Sequence, residues 1–130
     1  MPAAPTLHFV YNVDGTPLAL AMDFLHRLRE PETYPCRLCD LTYGRFLKRG
    51  DWSAFVASLP VNARFHVRDA FRKRSPASAD APLPAVFVEP AGRRRSSPLE
   101  ILISAAELNE VSELAHLQAL VTERVRGLVP

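Results

Sequence analysis

Apolar positions along the chain change period several times, and each change marks an element. Leu7, Phe9, Val10 and Tyr11 sit in a short aromatic and β-branched run that predicts a first strand over residues 7–12. Val13-Asp14-Gly15 breaks it. Thr16 can cap a helix, and Pro17 suits its first position, where the N–H would have no intrahelical partner. Leu18, Ala21, Met22, Leu25 and Leu28 then recur at helical spacing, and Pro31 ends that helix near Glu30 by disfavouring helical geometry in the residue before it. Pro35 is placed to open a short helix that Gly44 closes. Asp51 caps another, carrying Trp52, Phe55, Val56 and Leu59 and stopping at Pro60.

The second half reads mostly as strands. Residues 63–68 predict a second strand, with Arg64, His66 and Arg68 on one face and Phe65 and Val67 on the other. Residues 71–82 are polar, basic and rich in Ser, Ala and Pro, which predicts an irregular loop with room for a helical turn near Arg72. Residues 85–89 form a third strand, closed by Pro90, which has no N–H to give a ladder. A turn over 90–98 leads back into a fourth strand over 99–103, antiparallel to the third. Ser104-Ala105-Ala106-Glu107 is a capping box opening a short helix. A longer one is predicted over 112–126, with Leu114, Leu117, Val121 and Val125 near its apolar side.

This order, β-α-(α)-α-β followed by β-β-α, resembles the thioredoxin-like fold. The resemblance implies an α/β domain over residues 1–130 with a four-stranded mixed sheet and helices on both faces. The first two strands would be parallel through a right-handed helical crossover, and the last two antiparallel. Leu83-Pro84-Ala85 strengthens it, because that fold carries a cis proline just before its third strand, facing the active site. An X-Pro bond loses little free energy in the cis form. An ordinary trans proline at a strand start is the alternative.

The chain's cysteines depart from that pattern. Cys36 and Cys39 are the only two, and they form a C-x-x-C pair. Thioredoxins place such a pair directly after the first strand. Here Val13-Asp14-Gly15-Thr16-Pro17 holds that place, and the cysteines follow a complete helix. Thioredoxin's catalytic roles therefore do not transfer directly. The whole chain is also similar to a family of small, functionally uncharacterised bacterial proteins. The matching segments are Phe9-Val10-Tyr11-Asn12-Val13-Asp14-Gly15, the motif Tyr34-Pro35-Cys36-Arg37-Leu38-Cys39-Asp40-Leu41-Thr42-Tyr43-Gly44, and Leu108-Asn109 after the fourth strand. Some members carry a GTPase label, which the absence of a G-x-x-x-x-G-K-[ST] loop does not support.

Composition narrows the class. At 130 residues and 14.5 kDa, with 48% hydrophobic and 23% charged residues, this is an ordinary globular chain. No stretch approaches the ~18 consecutive apolar residues of a membrane span. The N-terminus has neither a basic nor a long apolar region, so a cytoplasmic protein without a secretory signal is expected. Structural disulfides are uncommon in that compartment, which turns the cysteine pair toward redox or metal chemistry. Net charge is +2, too balanced to imply nucleic acid as a partner. All basic residues except Lys48 and Lys73 are Arg, which with the high Ala and Pro content matches a GC-rich coding bias.

Three readings of the cysteines stay open. In the first turn of a helix opened by Pro35, Cys36 would gain thiolate character from free N–H groups, the helix dipole and Arg37, while Asp40, Leu38 and Leu41 oppose it. Cys36 would then be the attacking thiolate and Cys39 the resolving one, with a protein thiol as partner and Pro84 shaping the adjacent surface. Alternatively the two thiolates bind zinc. Zinc needs further ligands from His8, His26, His66, His116 or Asp40, with His66 the best placed, or from a second subunit. The third reading is inert packing, which cysteine does well. Two further patches are weaker. Asn12, Asp14 and Thr16 mark the strand-end crevice where α/β folds bind ligands, though Asp-Gly and Thr-Pro also serve plain turns and caps. Arg64, Arg68, Arg72, Lys73 and Arg74 could bind phosphate or form only a solvated edge.

Overall fold

The structure, a computed structural model, describes residues 4–29, 38, 50–91 and 98–128. Four strands, β1 Thr6–Val10, β2 Asn62–His66, β3 Ala85–Glu89 and β4 Glu100–Ile103, form one sheet in the order β2-β1-β3-β4. β1 pairs parallel with β2 and antiparallel with β3, and β3 pairs antiparallel with β4. The strand alternation sorts side chains onto two faces. Leu7, Phe9, Val86, Val88 and Ile103 enter one buried cluster, and Val10, Ala85 and Phe87 enter another.

Helices cover both faces, giving the thioredoxin-like arrangement of a mixed α/β sheet. They are α1 Pro17–Arg29, α2 Gly50–Ala57, α3 Arg68–Arg74, α4 Ala105–Asn109 and α5 Leu114–Arg126. α5 buries Leu114, Leu117, Val121 and Val125 in the larger cluster, the stripe its sequence spacing predicts. α2 adds Trp52, whose ring meets Phe9 edge-on at 5.5 Å and 88°. On the opposite face α3 lays Phe71 against Phe87 at 4.9 Å. Each such large side chain contributes roughly 1.5–3 kcal/mol by leaving water.

The capping box is formed as expected. Ser104 Oγ accepts from the Glu107 N–H, and Glu107 Oε1 accepts from the Ser104 N–H at 3.1 Å. Arg124 of α5 donates to the Leu102 carbonyl at 2.7 Å and pairs with the Glu107 carboxylate. One guanidinium thus joins β4, α4 and α5. That hydrogen bond, with the backbone bond at Ser104, holds the Glu107 carboxyl down at about 2.

Two expectations are corrected, and one helix face differs from that of α5. β2 ends at His66, because the Arg68 N–H donates to the Val13 carbonyl at 2.7 Å and the chain turns into α3. Arg68 is therefore on a helix, not on a strand face with Arg64 and His66. Residues 71–82 are not an irregular loop: α3 runs to Arg74 and a 3-10 turn follows at Pro76–Ser78. Phe71 drives this by burying one side of a helix that is otherwise polar. Finally, the apolar side of α1 is not core. Leu18, Met22 and Leu25 are 72%, 62% and 47% exposed, and neither buried cluster among the described residues draws on α1. No described helix is long and apolar enough to cross a membrane.

Candidate functional site

Register brings the ends of three strands together. Val10 pairs with His66 on one side and with Ala85 on the other, so the C-terminal ends of β1 and β2 meet the start of β3. Pro84 immediately precedes β3. The Leu83–Pro84 peptide is cis, as the resemblance implied, and Pro84 is buried.

The first βα turn lies at the same edge. Arg68 donates from Nε to Asp14 Oδ1 at 2.8 Å and from Nη1 to Asn12 Oδ1 at 3.1 Å. The Gly15 N–H donates to Asp69 Oδ1 at 2.9 Å, and the Ala19 N–H donates to Thr16 Oγ1 at 3.2 Å. A Cβ on Gly15 would stand 2.7 Å from Val67 Cγ2, so the two turns approach too closely for any side chain there. The Arg68 hydrogen bond lowers the Asp14 carboxyl below the usual carboxylate range. Arg68 Nε and Nη1 and the Gly15 N–H are thus engaged by the protein's own oxygens. The arrangement is a clamp between the β1–α1 and β2–α3 turns.

Cys36 and Cys39 lie outside the described residues, as do Tyr34, Pro35, Asp40, Tyr43 and Gly44. Between the cysteines, Leu38 is described. It is helical, 0% exposed, and belongs to the larger cluster with Phe9, Trp52 and Val86. The centre of the C-x-x-C motif is therefore anchored in the core of the fold.

His66 has a different neighbourhood from the one its sequence position suggests. Its Nε2 lies 2.8 Å from His8 Nδ1, and His8 Nε2 lies 2.7 Å from Glu89 Oε1. The ring centroids are 5.0 Å apart at 28°, which with so short an N···N contact means the rings meet edge to edge. A carboxylate can only accept, so it fixes the whole chain. Glu89 accepts the His8 Nε2–H, His8 Nδ1 is left to accept the His66 Nε2–H, and His66 Nδ1 keeps its lone pair. Among the described residues that nitrogen has no hydrogen-bond partner. Burial, then the positive side of His8, Arg74 and Arg64, pushes His66 down to about 4. Burial likewise lowers His8, more than the Glu89 hydrogen bond raises it.

The sequence offered His8 and His66 as separate candidate zinc ligands, and His66 also as part of an arginine-bearing strand face. The structure joins the two rings to each other, and among the described residues no three His, Cys, Asp or Glu side chains are disposed to hold a metal ion. Glu89 was not anticipated. It reaches His8 because Thr6 pairs with Glu89 and His8 with Phe87, putting all four on one sheet face, and that register is invisible without the pairing. An open hollow of about 360 Å³ on α1 is lined, among the described residues, by Met22, Leu25, His26 and Arg29. No family model, no curated protein and no solved structure matches the chain. The fold assignment rests on sheet order, strand direction and the helical layers.

Proposed function

We propose that this protein is a thiol–disulfide redox protein on a thioredoxin-like scaffold, acting through Cys36 and Cys39. The observation that supports it most is Leu38. Leu38 stands between the two cysteines in the sequence and is itself helical and buried in the packed core, and a rigid support is what reversible pairing needs. Helical positions three apart have Cα atoms about 5 Å apart, within the span that a disulfide bridges.

In the proposed cycle the Cys36 thiolate attacks a sulfur of a partner disulfide and expels one partner thiolate, leaving a mixed disulfide. The Cys39 thiolate then attacks the Cys36 sulfur and expels the second partner thiolate. The partner gains two electrons, the protein's dithiol becomes a disulfide, and an external dithiol restores it. Pro84 shapes the docking surface in this reading. The proposed setting is a bacterial cytoplasm, where a stable structural bridge has little purpose.

Trapping tests the assignment of roles. In Cys39→Ser the resolving step is lost, so incubation with oxidised glutathione is expected to leave a mixed disulfide on Cys36, seen by intact mass. Cys36→Ser is expected to form it far more slowly. Equal trapping in both variants, or none in either, contradicts the proposed roles.

A further inference from the structure

We propose that His66, Arg64 and Arg74 form a binding site for a phosphate monoester, with His8 and Glu89 orienting the His66 ring. The site stands apart from the thiol reading and does not depend on it. Arg64 and His66 are two residues apart on β2 and share a face, and Arg64 lies directly across from His8 in the β1–β2 register. α3 crosses this face. Its Phe71 ring lies 5.8 Å from the His66 ring, and Arg74 is one turn further along the same side of that helix. Two guanidinium groups from separate elements therefore flank one imidazole.

Charge at this place is uncompensated. Among the described residues neither Arg64 nor Arg74 has an ion-pair partner, and both are exposed. The charged and titratable groups around His66 are His8 on β1, Arg64 on its own strand, Arg74 on α3 and, through His8, Glu89 on β3. Among these groups the carboxylate, Glu89, is hydrogen-bonded to His8. An anion seated between the arginines would meet positive charge on both sides.

The Glu89–His8–His66 chain selects among anions. It leaves a lone pair at His66 Nδ1, so a fully deprotonated oxygen meets another acceptor there. A monoester carries a titratable P–O–H, with a second pKa of about 6, and can donate that hydrogen to Nδ1 while its other oxygens accept from Arg64 and Arg74. A diester has no such hydrogen, so backbone phosphates of nucleic acid fit poorly.

The test titrates methyl phosphate and dimethyl phosphate into the full chain near pH 6, the monoester's own pKa. The imidazole ¹⁵N and ¹H resonances of His8 and His66 report binding. Methyl phosphate is expected to shift them saturably and to bind with net proton uptake in calorimetry at a pH above that value. Arg64→Gln and Arg74→Gln, both exposed and so compatible with folding, are each expected to weaken it about tenfold. Lys73→Gln, on the same helix, is expected to leave it unchanged. The proposal is overturned if dimethyl phosphate or chloride at equal ionic strength shifts the rings as much. Affinity untouched by both arginine variants, or no saturable shift at all, also overturns it.

Discussion

His8 and His66 are kept neutral by their surroundings, and that makes stability depend on pH in a definite direction. His66 falls from the usual 6.5 to about 4 in the folded protein, chiefly by burial. Between those values the unfolded chain binds the proton and the folded one does not. Stability therefore falls as pH drops from about 6.5 toward 4, and His66 adds no further slope below that. His8, also lowered, acts in the same sense. Denaturant midpoints measured at stepped pH should show this slope in wild type and a shallower one in His66→Gln; equal slopes contradict the account. A second residue-scale expectation concerns Gly15. Gly15→Ala puts a Cβ at 2.7 Å from Val67 Cγ2, and the forced shift should cost about 1–3 kcal/mol in chemical denaturation. Both histidines were visible as residue types, yet their contact was not, because it spans 58 positions and depends on strand register.

Elements differ in how far local pattern determines them. α5 and the α4 cap were legible because their signals are local: a helical stripe at Leu114, Leu117, Val121 and Val125, and a Ser-x-x-Glu box. Ser104→Ala should cost about 1 kcal/mol by orphaning the Glu107 N–H. Arg124→Met should release the Glu107 carboxyl toward its usual 4.5. The stability that Glu107 contributes is present above that value and lost as pH falls toward 2, so the variant should lose the corresponding acid-side slope. An unchanged Glu107 titration by NMR contradicts the ion pair's role. Of α3 only a turn near Arg72 was legible in a basic, Pro-flanked stretch, since its single buried anchor, Phe71, gives no repeat to detect. The apolar stripe of α1 was legible, but its exposure was not. Period alone shows amphipathicity, not what covers it, and Leu18 and Met22 remain exposed.

At the scale of the molecule, two strand pairings followed from element order, because a helical crossover makes β1 and β2 parallel and a hairpin makes β3 and β4 antiparallel; the antiparallel β1–β3 pair that joins them had no local signal. The placement of the thiol pair did not follow, because Cys36 and Cys39 sit outside the thioredoxin position, after α1. The described residue of the motif is Leu38, buried with Phe9 and Trp52. Leu38→Ala should destabilise by about 2–5 kcal/mol and should disturb the motif together with the core. The redox claim is tested most directly by titrating the thiols of the purified protein through graded glutathione buffers, with zinc measured on the same sample. A single two-electron transition that links Cys36 to Cys39, lost in either serine variant, is the result expected. Thiols that stay reduced across the whole range, or stoichiometric zinc that disappears in Cys39→Ser, would contradict it.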